Sequence, residues 1–142
     1  MKKALLLFTS LLLCMALLSS CIVNEALLYE DRFDELDIAG RFNDLAYHVE
    51  RGETGKSLYR QANTIIEDLQ AIRIGEDETI EKINNDFIVV ARTLIQAMDH
   101  VKANNFSAFS SCYYAAKDLY NKTDKALNRY KKIDGSTVNN DN

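Results

Sequence analysis

Phe109, Cys112, Ala116, Leu119, Thr123, Ala126, Tyr130 and Ile133 follow one another at alternating steps of 3 and 4 residues. An α-helix turns once in about 3.6 residues, so side chains at such steps stack on one face; a strand, whose faces alternate at every second residue, cannot use this pattern. Two earlier stretches repeat it. Leu58, Ala62, Ile65, Leu69 and Ile72 form one stripe, and Ile80, Ile83, Phe87, Val90, Leu94, Ala97 and Val101 form another. The chain contains no proline, the residue that disfavours a helix interior by about 3 kcal/mol, so long helices are permitted throughout. Breaks are expected instead at Gly52-Glu53-Thr54-Gly55, at Gly75-Glu76-Asp77 and at Asn104-Asn105. There Gly75 would supply a left-handed C-terminal cap, and Asp77 or Thr79, then Asn105 or Ser107, would accept the free N–H groups of the next helix.

Residues 24–51 behave differently. Ala26, Tyr29, Phe33 and Leu36 share one face, whereas Ile38, Phe42, Leu45 and Val49 share a face about 180° away at roughly 100° per residue. The reversal predicts a helix kinked or broken near Asp37 and Gly40, with Asp37 capping the second piece. Connections of about 2–5 residues favour antiparallel neighbours. The predicted fold is therefore all-α: an up-down-up-down antiparallel four-helix bundle over residues 25–134, followed by a disordered polar tail at 135–142. Charge agrees with this arrangement. From Glu25 to Glu53 there are 9 acids and 3 bases, and from Phe106 to Asp134 there are 3 acids and 6 bases. The first and last helices would be neighbours in such a bundle and should attract, each surface pair contributing little.

Across 142 residues, 47% hydrophobic and 27% charged, the composition suits one small folded domain rather than a disordered chain. The first 21 residues stand apart. Lys2 and Lys3 precede fifteen uncharged, mostly apolar residues from Ala4 to Leu18, fewer than the about 20 that a membrane-spanning helix needs. The small residues Ser19 and Ser20 come next, completing the layout of an export signal. Leu18-Ser19-Ser20-Cys21 resembles the lipobox of bacterial lipoprotein precursors. The resemblance covers the signal segment alone and implies cleavage before Cys21, leaving residues 1–20 as a signal peptide and residues 21–24 as a lipidated N-terminus and short tether. Cys21 would then carry a thioether-linked diacylglycerol, with palmitate-type chains that contribute about 0.8 kcal/mol per buried methylene. Ile22 follows that cysteine, and a residue other than Asp there implies the outer membrane in a cell with two membranes; otherwise the anchor is the outer face of the cell membrane. Removal of residues 1–20 leaves 122 residues of net charge −6, a balance that does not seek nucleic acid. Cys112 would be the one remaining free thiol, so no intramolecular disulfide is expected.

Few residues in the body suggest chemistry. Gly55-Lys56-Ser57 has the end of a phosphate loop but lacks the required glycine five residues earlier, where Glu50 stands. His48, His100 and Cys112 fall at one end of an up-down-up-down bundle and include metal-ligand types. No two of these three stand at the i, i+3 or i, i+4 spacing that builds a helical metal site, so no metal and no other cofactor is expected. Glu-x-x-His and Gly-x-Ser-x-Gly motifs are also missing from the sequence, and the chain is expected not to be an enzyme. Tyr29 and Phe33, close in sequence to the anchor, and Tyr114, which points away from the seam of the last helix, are the candidate partner-binding residues. The expected role is a cell-envelope accessory module that binds a protein partner. A pilotin-like chaperone of a secretion channel and an immunity or exclusion lipoprotein are alternatives of the same kind; a small-ligand or metal carrier is the alternative of another.

Overall fold

In a computed structural model, residues 25–137 are described, with side chains described for residues 27–132. The signal-like segment, Cys21 with its tether, and residues 138–142 lie outside these. The described chain is all-helical: α1 (Glu25–Glu35), α2 (Ile38–Glu50), α3 (Lys56–Ala71), α4 (Glu78–Lys102) and α5 (Phe106–Thr137). Helix α5 thus continues past Gly135, where the tail was expected to begin.

The turns follow from local chemistry, though not always from the residue expected. Asp77 accepts the backbone N–H groups of Thr79 at 2.8 Å and Ile80 at 3.1 Å, and Asn105 accepts that of Ala108 at 3.2 Å. Each side chain satisfies donors that the first turn of a helix leaves free. Asp37 does not cap α2: it takes a left-handed backbone, φ 48, and makes no side-chain cap hydrogen bond. Gly75 is likewise not the left-handed position after a helix; Gly52 at φ 75 and Asn104 at φ 55 are. Ile72 leaves α3 in an extended conformation instead.

Leu36 and Asp37 join α1 to α2, and Gly40 in the first turn of α2 leaves room for the Asp37 carboxylate, which folds over it. The consequence is that Tyr29 and Phe33 on one side of the turn, and Ile38, Phe42, Leu45 and Val49 on the other, are all buried. Two faces that oppose each other on a straight helix therefore enter one core. A left-handed backbone is disfavoured for residues with a Cβ, so Asp37→Gly should raise stability by about 0.5 kcal/mol. A urea midpoint that falls in this variant would contradict that account of the turn.

Helix α4 packs on every other helix, most extensively on α5 and next on α3. Its buried residues accordingly spread beyond a single stripe to include Asn84, Ile88, Ala91 and Met98. Phe87 lies at the meeting point of three other helices, with ring centroids 4.8 Å from Phe33, 6.0 Å from Phe42 and 5.7 Å from Tyr120. Asn84, also buried, donates to the Leu69 carbonyl at 3.2 Å and accepts from the Tyr29 hydroxyl at 3.1 Å. Leu69 is in the last turn of α3, where carbonyls lack helical partners; Asn84 caps that helix from across the core.

On α5 the buried row differs from the expected one. Tyr113, Ala116, Thr123 and Leu127 are buried, with Tyr120 and Tyr130 half-buried, while Ala126 is exposed. Ala116, Thr123 and Tyr130 belong to both rows; Tyr113 and Leu127 are buried beside them, and Cys112, Leu119 and Tyr120 are all half-buried against the core. The core-facing stripe is thus wider than a single row, and the residue it leaves in water, Ala126, has little apolar surface to bury. The expected attraction between first and last segments is represented by an ion pair between Glu30 of α1 and Lys131 of α5. Arg41 and Asp68, 2.6 Å apart, join α2 to α3. The Tyr59 hydroxyl donates to Asp99 at 2.7 Å across α3 and α4; burial and that carboxylate push the Tyr59 phenol up to about 12.

Candidate functional site

Helices α2 and α5 meet over a short stretch only. Where Ala46 of α2 and Ala116 of α5 stand, neither side chain is long enough to fill the space between the backbones, and a cleft of about 250 Å³ remains. Val90 and Leu94 of α4 line it, and Phe42, Tyr47, Tyr113 and Tyr120 supply rings from both helices. Asn43, Glu50, Lys117 and Asn121 add polar groups to the lining. Apolar surface with a few polar groups is the usual composition of a binding pocket, but drug-sized ligands occupy roughly 300–1,000 Å³. This cleft is of a size for one or two side chains of a partner.

Its electrostatics favour hydrogen bonding over proton transfer. Burial pushes the Tyr113 phenol up, with the charge of Glu50 and a hydrogen bond to it acting in the same direction. Burial and then the charge of Asp124 push up Tyr120. Both groups therefore remain neutral at ordinary pH; the Tyr113 hydroxyl gives its one proton to Glu50, which leaves the Tyr120 hydroxyl as the donor that could orient a ligand without titrating. Cations attend the rings: the Arg51 guanidinium lies 5.5 Å from the Tyr47 centroid, and the Lys117 ammonium 5.8 Å from that of Tyr113.

Tyr114 is 64% exposed and meets Tyr113 edge-on at 5.5 Å. Tyr47 is 56% exposed. These two rings extend the aromatic surface from the cleft toward solvent. No family model, curated protein or solved structure matches the chain.

The expected partner surface needs correction at two of its three positions. Tyr29 and Phe33 are 1% and 5% exposed, because the turn at Asp37 directs their face into the core together with that of α2. They stabilise the bundle and offer nothing to a partner. The structure also does not assemble His48, His100 and Cys112 as a metal site: among the described residues, no group of three or more His, Cys, Asp and Glu side chains is arranged to hold an ion. His48 instead faces carboxylates, with Nδ1 2.9 Å from Glu53 and Nε2 3.6 Å from Asp44. Cys112 is a half-buried free thiol. Cys21 lies outside the described residues. Among the described residues, no helix is long and apolar enough to cross a membrane.

Sequence reasoning missed Phe42, Tyr47, Tyr113 and Tyr120 as cleft walls. Tyr113 and Tyr120 fall one residue outside the regular 3-and-4 row of the last helix, and Phe42 falls within the apolar face it shares with Ile38, Leu45 and Val49. A usable signal was the small residue Ala116 on a seam position between two tyrosines, but a gap forms there only because Ala46 faces it from another helix.

Proposed function

We propose that this chain is an exported lipoprotein, anchored through Cys21, whose helical body binds a cell-envelope protein at the α2/α5 cleft and catalyses nothing. Leu18-Ser19-Ser20-Cys21 supports the anchor. The observation that carries the binding role is the cleft itself, walled by Phe42, Tyr47, Tyr113 and Tyr120 and continued outward by Tyr114. Tyrosines held by packing lose little conformational freedom on binding and are frequent anchors of protein interfaces. We place the anchor in the outer membrane where the source has two membranes, and otherwise on the outer face of the cell membrane.

In the proposed topology the arm formed by α1 and α2, then α3, α4 and α5, run up-down-up-down as an antiparallel four-helix bundle, the first arm broken at Asp37. Contacts between Glu30 and Lys131, Asp77 and Tyr130, and Asn84 and Leu69 support this. They are the contacts expected if the starts of α1 and α4 lie beside the ends of α3 and α5. The lipidated cysteine would then lie at that end, and Tyr47 and Tyr114 toward the opposite one, facing away from the bilayer.

Two measurements test the proposal. Mass spectrometry of the mature protein should find an N-terminus at Cys21 carrying a diacylglycerol thioether; a mature chain beginning elsewhere without lipid would end the lipoprotein reading. Crosslinking in intact cells should capture one envelope protein, lost with Cys21→Ser and weakened about tenfold by Tyr47→Ala combined with Tyr114→Ala, a typical loss at an interface anchor. Unchanged capture by the double variant would remove the cleft as the contact surface.

A further inference from the structure

A second cleft, of about 810 Å³, opens between the end of α3 and the outer face of α4, and its chemistry differs from that of the aromatic one. Ile72, Ile88 and Val89 give it an apolar lining. Two guanidiniums line it as well, Arg73 from the segment after α3 and Arg92 from α4. Both arginines are exposed, and among the described residues neither is in an ion pair, a state they share with Arg60 and Arg129; what distinguishes them is that both line one cleft. Asn84 reaches this cleft, but its amide is occupied by Leu69 and Tyr29. Glu81 is the one carboxylate in the lining.

Uncompensated guanidiniums beside apolar surface, in a chain with more acids than bases, are suited to a ligand that is anionic at one end and apolar at the other. The number of arginines narrows the head group. A carboxylate carries one charge on two coplanar oxygens, while a phosphate monoester carries up to two charges on three oxygens that point in different directions, and so matches two guanidiniums in both charge and geometry. We propose that this cleft binds an alkyl phosphate monoester, its phosphate held by Arg73 and Arg92 and its alkyl chain lying on Ile72, Ile88 and Val89. The site is separate from the aromatic cleft and requires neither lipidation nor a protein partner.

Hexyl phosphate, which is soluble without forming micelles, is the probe for calorimetric titration of the full chain held in a neutral detergent. One equivalent should bind, more tightly than hexanoate, inorganic phosphate or hexanol, with affinity falling as salt is added. Arg73→Gln and Arg92→Gln should each weaken binding about tenfold, as expected for a lost hydrogen-bonded charge contact. Glu81→Gln should strengthen it about threefold by removing the opposing charge. These three side chains are exposed, and an unchanged helical circular dichroism spectrum verifies that each variant is folded. Equal binding of hexanol would reduce the site to an apolar surface and overturn the proposal. Equal binding of hexanoate would overturn the phosphate assignment. Absence of binding, or affinity indifferent to both arginine substitutions, would overturn the site altogether.

Discussion

Replacing Phe87 by alanine should lower the stability of the folded chain by about 3–5 kcal/mol, the usual range for truncating a fully buried aromatic ring. The size follows from its position. Phe87 is fully buried and packs on Phe33, Phe42 and Tyr120, which belong to α1, α2 and α5. Removal of the ring leaves a cavity among helices fixed to one another elsewhere, so collapse can fill it only in part. It also forfeits aromatic pairing worth about 0.5–1.5 kcal/mol per pair beyond area burial. Domains of this kind have about 5–15 kcal/mol of stability in total, so the variant should unfold at a much lower urea concentration. Val89→Ala, two residues away and exposed, should change stability by less than about 0.5 kcal/mol. A loss below about 1.5 kcal/mol for Phe87→Ala would show that the four helices do not close on this ring.

Asn84→Ala should be nearly as damaging, by about 2–4 kcal/mol, for a different reason. Truncation leaves the buried Tyr29 hydroxyl and the Leu69 carbonyl without the partner that each has now. An unmet buried polar group costs about 1–3 kcal/mol. Tyr29→Phe orphans only one oxygen of the Asn84 amide and should cost about 1–2 kcal/mol. The two substitutions should not add when combined, since Tyr29→Phe removes the hydroxyl that Asn84→Ala would strand. Urea denaturation of the four proteins in the cycle gives the coupling; strict additivity would mean that the hydrogen bond between Tyr29 and Asn84 contributes nothing.

The all-helical architecture was readable from the chain because spacing at 3 and 4 residues is a local property, and proline-free runs let it persist. The burial of α5 shows where local information ended. Cys112 and Leu119 of the expected row do pack on the core, but Tyr113 and Leu127 beside them are buried more deeply and Ala126 is exposed. How far the stripe widens, and to which side, is decided by α4, which no spacing within α5 describes. Tyr29 and Phe33 illustrate a related limit. Their separation from the face of Phe42 was visible in the sequence, but the direction of the chain after Leu36 determined that both faces turn inward. The α2/α5 cleft depended on still more distant information, because an empty space exists only when two small residues from different helices face each other. Tyr114 was readable as an outlying aromatic since its exposure depends only on pointing away from the stripe.

The position of α4 has a bearing on how the protein is made. The apolar faces of α1 and α2 close on Phe87, and α3 relies on Asn84 for its last turn, yet all three helices precede α4 in the chain. Synthesis delivers them before the helix that they need, and isolated helices of their length are marginal in water. Burial must await emergence of residues 78–102, after which the α4/α5 hairpin, built from contacts close in sequence, can gather the earlier segments. Until then the first half of the polypeptide has helices but no finished core to hold them.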